Sequence, residues 1–193
     1  MIANEHERLQ RLIHLSTELA EIKDFDVLME RILGSAREFV GCDAGSIYIK
    51  KLDTLEFSYT QNDTLERKLP PGVKLIYTTF AIPIDNNSIA GYVAMTGKTL
   101  NIPDAYNLPG HLPFSFDQSV DERSNYMTRS IMTVPLKTSA GDIVGILQLI
   151  NALDSYGNAV PFRDELEPYV DYFANSAANA LERALLTRTI LLR

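Results

Sequence analysis

Tryptophan is absent from the sequence and cysteine occurs once, at Cys42. A single thiol excludes an internal disulfide and any site that needs several thiolates. Histidine is nearly as scarce. His6, His14 and His111 are the three in the chain, and no His/Cys/Asp spacing resembles a zinc site. Positive charge is outnumbered, 18 Lys and Arg against 25 Asp and Glu, for a net charge of −7. That balance argues against a general nucleic-acid binder and against a protein held on an anionic membrane. Long apolar runs are missing too. The longest, Ile143 to Leu153, is interrupted by Gly145, Gln148 and Asn151, well short of the roughly 18 residues of a membrane span. The N-terminal MIANEHERLQ is polar and acidic, so no signal peptide is expected, and a soluble cytoplasmic protein is the plain reading. What is present, 46% hydrophobic residues in a chain of 193, suffices for one domain with a real core.

Apolar spacing predicts the elements. Leu12, Leu15, Leu19 and Ile22 form a helical stripe in residues 5–23, read equally as a coiled-coil seam or as a helix packing on its own domain. Asp24 or Asp26 caps a second helix with the stripe Leu28, Ile32, Ala36 and Phe39, ending near Gly41. GSIYIKK and LEFSYTQ alternate as two strands of a hairpin, with Ile47 and Ile49 opposite in facing to Ser46 and Tyr48. The proline-punctuated stretch from Thr64 to Asn87 reads as loop with one short edge strand. Ser88 caps a helix from Ile89 to Thr96, closed by Gly97, and LNIPD is a brief strand. Residues 104–124 look irregular yet carry Tyr106, Phe114 and Phe116, as a loop folded over something would. Two nearly continuous apolar strands follow, expected at the sheet centre. A long helix then runs from about Phe162 to the end, with Leu166, Tyr169, Phe173, Ala177, Leu181 and Ala184 on one side. Pro168 falls in its first turns or marks its true start.

These stretches together, GSIYI, SIAGYVAMTGKTLNIPDAY and TRSIMTVPLKTSAGDIVGILQLIN before a closing amphipathic helix, resemble a GAF domain, a small-molecule-sensing module. The detail is most similar to GAF modules that precede HD-type (HD-GYP-like) phosphohydrolase domains in bacterial proteins. The resemblance implies an α+β fold with an antiparallel sheet of about six strands. The N- and C-terminal helices would lie on one face. A short helix and loops would cover a ligand pocket on the other. It implies three segments: a signalling or dimerisation helix over 1–24, the GAF core over 25–165 and a helix over 166–193 leading to an output domain.

The implied pocket is lined by Ser46 and Tyr48, by Ser88 and Ile89 at the start of the short helix, and by Tyr106, Phe114, Phe116 and Asp117. Thr128, Arg129 and Met132 complete it, where the chain re-enters the sheet. Several have a plainer alternative. Ser46 either touches a nucleotide base or faces solvent, and the three aromatics either stack on a planar ligand or plug their own loop. Asp117 either accepts from a ring N–H or caps its turn. Arg129 either holds a phosphate or carboxylate or pairs with Asp121 or Glu122. The adjacent acids Asp121-Glu122 and Asp164-Glu165 read as solvated. Many cyclic-nucleotide-binding members carry Asn-Lys, then Phe, then an Asp-Glu pair three residues on. Here Asn151 and Phe162 match, Ala152 stands at the lysine position, and Asp164 and Glu165 come too early.

No catalytic or metal site is expected. The ligand classes are a cyclic nucleotide or another small metabolite. The expected partners are a second copy, through the terminal helices, and a covalently attached output domain, with no nucleic acid and no membrane. The competing reading is a ligand-free dimerising spacer whose pocket is filled by Phe114, Phe116 and Met132.

Overall fold

The computed structural model describes residues 5–73, 75 and 79–191. Positions 1–4, 192 and 193 of the expected terminal segments, and positions 74 and 76–78 of the expected loop, lie outside the described residues. Helices α1 (Glu5–Glu21) and α2 (Phe25–Val40) come first. Asp24 is the cap between them. Its side chain accepts from the Val27 N–H at 2.9 Å, satisfying one of the donors that a first turn leaves free.

Strands β1 (Cys42–Lys51), β2 (Thr54–Asn62), β3 (Ala81–Pro83), β4 (Leu100–Ile102), β5 (Ile131–Lys137) and β6 (Ile143–Leu153) form one antiparallel sheet. Their order is β3-β2-β1-β6-β5-β4, and the two-residue β7 (Ala159–Val160) pairs with β6. The α+β architecture and the six-strand count are as expected, and β3 is the short edge strand. One placement differs. β6 is central, but its inner neighbour is β1, and β5 lies next to the edge strand β4. The β1–β6 pairing joins Cys42 to Ala152, a separation that no local pattern encodes.

Helix α6 (Glu167–Leu191) closes the chain after a 3-10 turn over Asp164–Leu166. Pro168 therefore sits in its first turn, where a missing N–H breaks no helical bond. α1, α2 and α6 cover one sheet face. Leu12, Leu15 and Leu19 pack with Leu28, Ile32, Phe173, Ala177 and Leu181 onto Ile47, Ile49, Met132, Val134, Leu136, Leu147 and Leu149. The α1 leucines are thus buried within their own domain. Arg8 of α1 lies 5.9 Å above the Tyr169 ring and 3.5 Å from Glu165. At the other end, Arg188 lies 5.0 Å above Phe25, so α1 and α6 run in the same direction.

The opposite face carries α4 (Ile89–Thr96). Ser88 Oγ accepts from the Gly91 N–H at 3.0 Å, as the cap reading requires. A Cβ on Gly91 would lie 2.7 Å from the Pro83 carbonyl oxygen and 2.8 Å from that of Asp85, so glycine is what lets α4 lie against the preceding chain. Two short helices are additions to the expectation: α3 (Asp63–Glu66) and α5 (Ser119–Ser124). The segment 104–124 is therefore partly regular, with a 3-10 turn at Ala105–Asn107 and α5 at its end.

Candidate functional site

Cross-strand partners share one face of a sheet, so the register defines three rows beneath α4 and the 104–124 segment. Tyr48 lies opposite Phe57 and Ile146. Ser46 lies opposite Thr60 and Gln148, and Gln148 opposite Thr133. Ala44 lies opposite Asn62 and Ile150, and Ile150 opposite Ile131. The first row is covered by Ala90, Val93 and Ala94 of α4. Ile131 of the third row packs with Ile89, Ile102 and Ala105, with Phe114 and Phe116 against them.

Between these two apolar clusters runs a polar row, Thr60–Ser46–Gln148–Thr133. Ser46 is 7% exposed and Thr133 0%. Ser46 Oγ lies 3.3 Å from Thr60 Oγ1, which donates to the Gly45 carbonyl at 3.0 Å. Gln148 Nε2 donates to Thr133 Oγ1 at 3.2 Å. Burying the Ser46 and Thr133 hydroxyls in the middle of a sheet is unfavourable unless they are paired, while Thr60 and Gln148 are half-buried. A few such groups framed by apolar walls are what a small-molecule site requires. Alternation along β1 points to Ser46 and Tyr48. Thr60, Thr133 and Gln148 were missed, although Gln148 and Thr133 interrupt strands that are otherwise apolar.

The other expected residues divide. Tyr48 is buried against Phe57, ring centroids 5.3 Å apart, and burial raises its phenol pKa above the ordinary value. Ile89 is buried in the lid-side cluster, and Ser88 is occupied by its capping bond. Phe114 packs on Tyr92 at 5.0 Å and Phe116 on Tyr106 at 5.5 Å, so the aromatics tie their own segment down. Asp117 accepts from the Ser119 N–H at 3.0 Å, and its bonds with Ser119 hold its carboxyl below the usual range. Arg129 is exposed and lies 3.8 Å from Asp104, so the expected pairing with Asp121 or Glu122 is corrected. Met132 packs among the α1, α2 and α6 residues on the far side of the sheet. Strand alternation turns it away from Ile131 and from the polar row.

Asp121 departs from the solvated reading of the acid pairs, whereas Glu122, Asp164 and Glu165 are exposed as expected. Asp121 is 7% exposed and accepts from Tyr106 Oη at 2.9 Å, the Thr128 N–H at 2.6 Å and Thr128 Oγ1 at 2.8 Å. One carboxylate thus joins the 3-10 turn, α5 and the entry to β5. Asn151 performs a similar task from β6, accepting from the Arg129 N–H at 2.6 Å and donating to the Met127 carbonyl at 2.8 Å. In place of a lysine–acid tie to the closing helix, Asn101 Nδ2 of β4 donates to Asp164 at 2.8 Å.

A polar groove of about 470 Å³ opens away from the row, between the end of α4 and the start of α6, lined by Lys98, Thr99, Lys137, Glu167 and Asp171 among others. Burial and the neighbouring Asp171 and Asp164 raise the Glu167 carboxyl above its ordinary value. None of the expected site residues lines this groove. Cys42 is 6% exposed, and burial pushes its thiol up to about 12, which leaves almost no reactive thiolate at neutral pH. No group of three His, Cys, Asp or Glu able to hold a metal occurs among the described residues. No helix among them is long and apolar enough to cross a membrane.

Among curated proteins, the chain is 31% identical over 176 residues to the dual 3',5'-cyclic-AMP and -GMP phosphodiesterase 11 of Drosophila melanogaster, covering 88% of this chain and 11% of that protein. It is 27% identical over 159 residues to the dual 3',5'-cyclic-AMP and -GMP phosphodiesterase 11A of Takifugu rubripes, covering 78% and 17%. The chain therefore spans a small part of both relatives.

Among solved structures, the GAF domain of a phosphoenolpyruvate-protein phosphotransferase from Coxiella burnetii superposes with a TM-score of 0.71 at 15% identity, over 97% of this chain and 99% of that one. The free methionine-R-sulfoxide reductase of Neisseria meningitidis does so with 0.66 at 17%, over 97% and 96%. Identities this low speak for the fold alone, and one of these two neighbours is an enzyme, so the fold does not decide between sensing and catalysis. Residues 24–181 match the GAF domain family, and with the sheet and helix layers just described, the chain belongs to that family.

Proposed function

We propose that this GAF domain is a regulatory sensor that binds a small ligand over the row Thr60–Ser46–Gln148–Thr133. The observation that carries this reading is that uncharged polar row between two apolar clusters on the lid face. Hydroxyls and a carboxamide match the edge of a nucleobase, and the two relatives are named for cyclic AMP and cyclic GMP. A 3',5'-cyclic nucleotide is therefore the ligand class proposed. α1 and α6 are the proposed route outward, by pairing with a second copy and by leading to an output domain. For that output we keep an HD-type phosphohydrolase of a bacterial signalling protein, on resemblance alone. A ligand transmits only by favouring one helix arrangement through its own contacts.

A second reading has its own support. Phe114 on Tyr92 and Phe116 on Tyr106 close the lid with the chain's own side chains, as in a ligand-free spacer.

Thermal unfolding separates the two. Ligand at about 100 times its dissociation constant stabilises by roughly 2.7 kcal/mol, a rise in Tm of about 5–10 °C for a chain of this size. Millimolar cyclic AMP or cyclic GMP is expected to give such a rise, and Ser46→Ala with Gln148→Leu to remove it. A flat response to both nucleotides would favour the spacer.

A further inference from the structure

A second concavity, of about 320 Å³, opens at the end of the sheet where β1 begins and β6 ends, away from the polar row. Its lining includes Asp43, Arg67, Tyr126, Met127, Asn151 and Leu153. Asp43 is 4% exposed, whereas Met127 is 51% and Leu153 38% exposed. The site therefore combines a sunken carboxylate with apolar side chains open to solvent at its rim.

The partners of Asp43 decide what such a site would hold. One oxygen accepts from Tyr126 Oη at 2.9 Å, a neutral donor that itself accepts from Asn151 Nδ2. The other lies 3.4 Å from Arg67 Nη2, at the long end of a hydrogen bond, and the Arg67 side chain is 70% exposed. Arg67 also donates to Thr64 Oγ1, at 3.0 Å. The buried arginine nearby, Arg37, directs its guanidinium elsewhere: to the Asp43 carbonyl at 2.7 Å, to Gln61 and to the Asp63 carboxylate. A carboxylate withdrawn from water favours a close, hydrogen-bonded cation. Here the only cation on its oxygens among the described residues is a loosely held surface arginine.

We propose that this concavity is a second binding site, for a small organic cation that carries an apolar body. Its ammonium or amidinium head displaces Arg67 and donates to Asp43, and its body covers Met127 and Leu153. The chain's net charge of −7 favours the approach of a cation. An anion recruited by Arg67 would meet the fixed carboxylate behind it. The site shares no lining residue with the polar row, so its fate is separate from that of the nucleotide reading.

Benzamidine, a planar amidinium on a phenyl ring, is the probe. The whole 193-residue chain is titrated with it while the Met127 methyl signal is followed by NMR, with benzoate and benzyl alcohol as charge controls. Saturable movement of the Met127 methyl with benzamidine alone is expected. Arg67→Ala removes a competing cation and should tighten binding about two- to five-fold, the scale of an exposed ion pair. Asp43→Asn should abolish the response. Because Asp43 is buried, folding of that variant is checked by circular dichroism, and Arg67→Ala carries the test if it fails to fold. The proposal is overturned by a still Met127 methyl at 10-millimolar-scale benzamidine (~10 mM, ample for a Kd near 1 mM). It is equally overturned by a matching response to benzoate or benzyl alcohol, or by unchanged or weaker binding in Arg67→Ala.

Discussion

Gly145→Ala is expected to destabilise the domain by about 3 kcal/mol or more, at the top of the range for overpacking. Gly145 lies in β6, paired with Ile49 on β1 and Leu136 on β5. A Cβ there would run into the carbonyl oxygen of Tyr48 and lie 3.3 Å from Leu136 Cδ1. A flexible side chain could move aside, but the Tyr48 carbonyl belongs to the β1 backbone, held between two neighbouring strands. The methyl therefore fits only if the central pairing opens. Urea denaturation would show a lower midpoint with an unchanged slope. Gly110→Ala is the control, since a Cβ there meets nothing within 4 Å, and it should stay within about 0.5 kcal/mol of the parent. Equal midpoints for the two variants would refute the crowding argument.

Asp121→Ala is expected to be nearly as severe, about 3–4 kcal/mol, because it strands three donors at once. The Thr128 N–H and both hydroxyls point at the carboxylate, and Thr128 is 4% exposed, so water cannot simply replace it. Asp121→Asn should lose less, since its carbonyl oxygen can still accept from Tyr106 and the Thr128 N–H while the Thr128 hydroxyl reverses its role to accept from the amide. The loss should be local as well as global. Amide exchange is expected to quicken first around 105–107 and 119–128, while β1 and β6 stay protected. Uniform acceleration over the whole chain would remove Asp121 from its role as the tie of the lid segment.

That carboxylate also shows where sequence reading stops. Apolar spacing found α1, α2 and α6, and the capping residues Ser88 and Gly97 found α4, because helices declare themselves locally. SVDERS, which forms α5, has no apolar period and is held by a bond made from Asp121 to Thr128. The two-residue β7 exists only through its pairing with β6. In β1, strict alternation separated Ser46 and Tyr48 from Ile47 and Ile49 correctly. In β5, IMTVPLK is buried on both faces, so its apolar residues show no alternation and Met132 was assigned to the wrong side, although Thr133, one residue on, marks the opposite face. The polar row shares that limit, since Thr60, Ser46, Gln148 and Thr133 become neighbours only once four strands are in register.

The shared direction of α1 and α6 has an electrical consequence. Both helices begin at the same end of the layer, where Glu5, Glu7 and Glu167 occupy their first turns, with Arg188 in the last turn of α6. Aligned peptide dipoles put positive partial charge at one end of the layer and negative at the other, and these side chains oppose that polarity at both ends. α1 has no basic residue in its last turn, but along α6 the formal charge is axial, acidic at its start and basic at its end. Two copies meeting through α6 head to head would superimpose like ends, and added salt would strengthen their association by screening repulsion. Meeting head to tail they would neutralise one another, and salt would weaken it. The sign of the ionic-strength dependence thus reports the orientation of such a pair.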